Sequence, residues 1–97
     1  MFMKIHRSRD TPDVVAVCDR ELINTTIRGG TMTVTISEAF YGNTPSSEAE
    51  VREALRTAGN INLMGERVVR LATEMGLIDA GSCIMIGTVP HAQVYCL

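Results

Sequence analysis

Between Asn60 and Val69 an apolar spacing, an internal glycine and a polar edge coincide, and the rest of the chain has to pack around that stretch. Ile61, Met64, Val68, Leu71, Ala72 and Met75 recur at helical spacing. This predicts a helix over 60–75 with one buried stripe, capped by Asn60 and ended by Gly76. Gly65 borders the stripe, and a glycine inside a helix costs roughly 1 kcal/mol relative to alanine. Its presence predicts that another backbone comes close there. Asn62, Glu66 and Arg70 lie along the neighbouring edge.

A second helix is predicted over 47–58. Ser47 and Glu50 have the spacing of a capping box, Val51, Ala54, Leu55 and Ala58 form a stripe, and Gly59 stops it. The strands read from shorter patterns. Residues 2–7 alternate, with Met3 and Ile5 opposite Lys4 and His6. Val14 to Cys18 is apolar throughout, as in a strand covered on both faces, and a hairpin with the first strand is the simplest pairing. Asp19 can cap a short turn through Ile23, with Asn24 tolerating the left-handed conformation after it. Arg28-Gly29-Gly30 reads as a turn. Threonines alternate with Met32, Val34 and Ile36 to give a half-exposed strand over 31–36. Cys83 to Ile86 reads as a buried strand. Pro90 lacks an amide hydrogen, so 88–92 should leave the ladder or follow an edge before 93–97 resumes it. The expectation is an α+β, two-layer sandwich of about five mostly antiparallel strands, with both helices on one face.

Ninety-seven residues with 45% apolar and 21% charged residues fit one compact domain over 1–97. No apolar run is long enough to span a bilayer and the start does not resemble a signal peptide, so a cytoplasmic protein is expected. A formal charge of -2 excludes bulk attraction to nucleic acid or anionic lipid. Eight of the nine basic residues are arginines, which leaves local recognition of phosphate or carboxylate open. Cys18, Cys83 and Cys96 are odd in number and lie in or beside apolar runs. Reduced thiols explain them better than a disulfide framework, and their spacing fits no zinc site, so no metal or other cofactor is expected.

Lys4-Ile5-His6, Val15-Ala16-Val17-Cys18-Asp19, Phe40-Tyr41-Gly42, Asn62-Leu63-Met64-Gly65-Glu66 and Val89-Pro90-His91-Ala92-Gln93 together resemble the archaeal family known as domain of unknown function 424. The likeness runs through essentially the whole chain. Asn24 and Asn43 stand where that family is expected to have glycine, and both keep a residue tolerant of positive φ. The resemblance implies an archaeal cytoplasmic protein and carries no activity.

The candidate binding residues are His91, Gln93, Asn62, Glu66 and Tyr41. A neutral imidazole at His91 can exchange a proton, or simply hydrogen-bond the backbone where the strand is interrupted. Glu66 can act as a base with Asn62 orienting a ligand, or form a helix ion pair with Arg70. His6 reads as a residue of a solvated strand face. Lys4, Arg7, Arg9 and Arg28 could gather near an exposed Tyr41 to hold single-stranded RNA, although Asp10, Asp13 and Glu38 oppose this. No catalytic constellation, phosphate loop or nucleophile elbow is present. The leading expectation is a non-enzymatic module that binds RNA or a protein of the information-processing machinery. The alternative is a small enzyme or ligand-binding domain with a pocket between the Asn62 to Glu66 edge and the Pro90 to Gln93 loop. The oligomeric state stays open.

Overall fold

A computed structural model describes residues 1–95; Cys96 and Leu97, expected to end the last strand, lie outside the described residues. Seven strands and three α-helices follow one another as β1 (Phe2–His6), β2 (Val14–Cys18), β3 (Thr26–Gly29), β4 (Met32–Thr35), α1 (Glu38–Tyr41), α2 (Glu48–Arg56), β5 (Asn60–Met64), α3 (Glu66–Glu74), β6 (Ile84–Ile86) and β7 (Val89–Tyr95). Single 3-10 turns cover Arg20–Leu22 and Ala80–Ser82. The main sheet has the order β1-β2-β5-β7-β6, while β3 and β4 form a separate hairpin. Pairing is antiparallel except between β2 and β5. The architecture is α+β, as expected.

Both long helices lie on one face of the sheet. Val51 and Leu55 of α2, with Val68, Val69, Leu71 and Ala72 of α3, pack on Val15, Val17, Ile61, Leu63 and Ala92. Burying each large aliphatic side chain contributes about 1.5–3 kcal/mol, which makes this layer the main source of stability. The other face is covered in part by α1 and the β3–β4 hairpin. Ile36 and Tyr41 are buried there with Ala16, Cys18, Met64 and Ile86. Gly29 is required at that contact, because a Cβ would overlap the backbone nitrogen of Gly87.

The capping box forms in full: the Ser47 hydroxyl accepts from the Glu50 amide at 3.1 Å, and the Glu50 carboxylate accepts from the Ser47 amide at 2.9 Å. The helix expected over 60–75 is shorter than its apolar spacing suggested. Asn60 caps nothing, because Asn60–Met64 is strand β5, inserted parallel to β2 with Ile61 opposite Val15 and Leu63 opposite Val17. Its alternation of Asn60 and Asn62 with Ile61 and Leu63 is that of a strand. The helix begins only after Gly65, whose φ of 120° no helix interior holds.

Three further expectations are corrected. Arg28 and Gly29 belong to β3, and the turn is made by Gly30 and Thr31. Cys83 to Ile86 is not a buried strand: β6 is the short outermost strand, only Ile86 is buried, and Ile84 and Met85 are 52% and 57% exposed. Finally, Pro90 does not break β7, which runs unbroken between β5 and β6. The Gly65 amide donates to the Pro90 carbonyl at 2.9 Å, so the polar groups of Pro90 face the β5 side. The amide that proline lacks would meet the Gly65 carbonyl, which already accepts from Val69. The ring therefore removes no ladder bond to β6.

Candidate functional site

The end of β2, the end of β5 and the start of α3 meet at Asp19. Its amide donates to the Met64 carbonyl at 3.0 Å, which aims the side chain at the first turn of α3. The carboxylate accepts from the Arg67 amide at Oδ2 and the Val68 amide at Oδ1, both at 3.0 Å. These are the second and third helical residues, the positions that an N-cap side chain normally serves. Gly65 occupies the cap position and has no side chain to offer. Asp19, only 3% exposed, performs the task from the position that follows β2. The close neighbour at Gly65 is this side chain and not the backbone expected there: a Cβ on Gly65 would lie 2.6 Å from Asp19 Oδ2. Burial pushes the Asp19 carboxyl above its ordinary range, against the pull of the two amides.

Four of the five candidate residues share the hairpin-side face of the sheet. Asn62 is in register with Gln93, and Met64 with His91. Asn62 Oδ1 accepts from the Tyr41 hydroxyl at 2.7 Å. Tyr41 is 4% exposed, so it is no stacking platform, and burial raises its phenol above the ordinary range. His91 Nδ1 lies 2.8 Å from the Leu63 carbonyl oxygen, which only accepts, so this nitrogen carries the proton. His6 similarly donates from Nε2 to the Phe40 carbonyl at 2.7 Å and stacks on the Phe40 ring. It is no solvated strand-face residue.

Glu66 stands apart on the exposed start of α3 and pairs with Arg70 at 2.9 Å. It lines a cleft of about 130 Å³ with Asp19, Glu21 and Pro90, and another of about 370 Å³ with Val69, Thr73, Cys83 and Pro90. Asn62 and His91 line neither. No hydrogen bond joins Asn62, Glu66, His91 and Gln93 to one another among the described residues.

The basic edge that Lys4, Arg7 and Arg28 could have formed does not assemble around Tyr41. Arg7 pairs with Asp13 at 3.1 Å, Lys4 reaches the Ala39 carbonyl from one margin of the sheet, and Arg28 rides on β3 beside β6 at the other. Cys18 is fully buried, and burial next to Asp19 pushes its thiol up to about 11. A thiol so protonated and covered is inert. Native protein is expected to leave Cys18 unmodified by a thiol reagent that labels it after denaturation, as mass spectrometry of the Cys18 peptide would show.

Sequence reasoning missed the exposed apolar side chains. Among the described residues, Ile84, Met85 and Tyr95 account for three of the four large hydrophobics that are exposed, and they sit on the adjacent strands β6 and β7. The run of Ile84, Met85 and Ile86 carries no local sign that it is outermost. Beside it, Gln93, Val94 and Tyr95 line a cleft of about 360 Å³ whose other wall is Gly76, Leu77, Ile78, Asp79 and Ser82.

The chain matches the family described as Protein of unknown function (DUF424) over residues 6–97. It is similar to the crystal structure of an uncharacterized conserved protein from Methanopyrus kandleri, with 30% identity and a TM-score of 0.81 over 99% of this chain and 90% of that one. No curated protein matches it.

Proposed function

The chain belongs to the DUF424 family, and we propose that it is a non-enzymatic module that binds a protein partner along the β6–β7 margin. The observation that carries this is that adjacent strands expose large apolar side chains on both faces of one margin, Ile84 and Tyr95 on the hairpin side and Met85 on the helix side. Single exposed hydrophobics are ordinary, but three on the two strands of one sheet margin suit a partner that wraps that margin. The polar residues that would build a pocket have internal work instead: Asn62 holds Tyr41, His91 holds Leu63 and Glu66 holds Arg70. An RNA surface has less support, because Tyr41 is buried and Lys4 and Arg28 lie at opposite margins. The archaeal relative and the unlinked thiol of Cys18 suit an archaeal, reducing cytoplasm as the place of action. No helix among the described residues is long and apolar enough to cross a membrane.

The test is affinity capture from an extract of the native host, with and without nuclease, using the wild-type chain and an Ile84→Asp, Met85→Asp variant. The expected result is a nuclease-resistant protein partner that the variant loses while keeping its circular dichroism spectrum. A partner that vanishes with nuclease, or that the variant retains, would overturn the proposal.

A further inference from the structure

We propose that the partner contributes an extended peptide segment, with a basic residue among apolar ones, that adds as a strand to the vacant edge of β7 at Gln93 and Tyr95. This rests on the reading of the β6–β7 margin as a protein-binding surface and names the class of ligand. The edge follows from the register. With the polar groups of Pro90 facing β5, alternation turns those of Ala92 and Val94 towards β5 and those of Val89, His91, Gln93 and Tyr95 to the other side. On that side β6 pairs only with Val89, Pro90 and His91, because its first residue is Ile84. Beyond it the chain has turned away into Ala80–Ser82, and the outward main-chain groups of Gln93 and Tyr95 have no hydrogen-bond partner among the described residues. They line the cleft of about 360 Å³ instead.

Unpaired main-chain donors and acceptors beside an open cleft are complementary to another extended backbone, the recognition mode of strand addition. The cleft also sets side-chain preferences. On the helix side Leu77, Ile78 and Val94 are half-buried against the core and the cleft lining is mainly polar, while Ile84 and Tyr95 offer exposed apolar contact on the other face. Asp79 is the one charged residue lining the cleft, and it forms no ion pair among the described residues. A lysine or arginine on the peptide would complement it.

A random heptapeptide display library selected on the full chain tests this, followed by amide hydrogen exchange with the enriched peptides. Alternating apolar sequences containing lysine or arginine are expected, together with protection of the Gln93 and Tyr95 amides on binding. Gln93→Pro removes an outward amide and leaves the β5 ladder intact, so it should weaken binding about tenfold, the effect of losing one such bond. Asp79→Lys should remove the preference for basic residues. No enrichment, enriched peptides that leave both amides unprotected, or equal binding to Gln93→Pro would overturn strand addition. If peptides bind Gln93→Pro normally but fail on the Ile84→Asp, Met85→Asp variant, the margin stands as a binding surface and strand addition alone falls.

Discussion

Replacing Gly65 with alanine is expected to destabilise the protein by about 3 kcal/mol or more, the sum of a strained backbone and a displaced helix cap. The backbone there has φ of 120°, which an L side chain adopts only under strain. The added methyl would also lie 2.6 Å from Asp19 Oδ2, so the carboxylate must leave the Arg67 and Val68 amides. In a domain of this size the unfolding midpoint should fall by roughly 12 °C or more. Thermal unfolding by circular dichroism checks this, and an unchanged midpoint would mean that neither the strain nor the contact is present. Because both substitutions act on the same cap, adding Asp19→Ala to Gly65→Ala should cost much less than Asp19→Ala costs alone.

Asp19→Ala by itself is expected to cost about 2–4 kcal/mol, because it removes a cap and leaves two amides of a packed helix turn without acceptors. Asp19→Asn keeps one acceptor oxygen and should lose less. The pH dependence has a definite sign. Burial raises the folded-state pKa above the ordinary 3.8, so the native protein holds a proton that the unfolded chain has already released. Stability from this group is fully present below the ordinary value and is lost as pH rises through the raised one. Urea unfolding from acid to neutral pH should therefore show wild type losing stability relative to Asp19→Asn over that window. The opposite slope would mean that the two amide bonds outweigh the cost of burying the charge.

What could be read from the sequence was whatever is settled locally. Ser47 and Glu50 lie within one helical turn, so their spacing announced α2. The β1–β2 hairpin was equally accessible, because its partners are close in the chain. The boundary at Gly65 was not, although Asn60 to Leu63 alternates, because Ile61 and Met64 also extend the helical spacing of Val68 and Leu71. What decides between these readings is β2, which supplies the parallel ladder for β5 from more than forty residues away. The hairpin strand β3 escaped notice because Arg28 and Gly29 resemble a turn when nothing shows Met32 and Thr33 opposite them. For the candidate residues, the sequence indicated the shared strands of Asn62, Gln93 and His91 poorly, since it assigned Asn62 to a helix. Asp19 was legible only as a cap for the turn beside it, because the amides it binds belong to Arg67 and Val68.

That separation bears on the order in which the molecule assembles. Helix α3 has nine residues and a glycine where a local cap would stand, too little to persist as an isolated segment in water. Its first turn is completed only once a carboxylate 48 residues earlier has been brought alongside by β2 docking on β5. The helix is therefore expected to form with sheet closure and not ahead of it, which φ values near those of β2 and β5 for substitutions in its first turn would show. Once formed it has no private route to fraying at its start, since releasing those amides means detaching Asp19 from the end of the sheet. Helix and sheet are expected to open as one cooperative unit, with matching amide exchange at Arg67, Val68 and the end of β5.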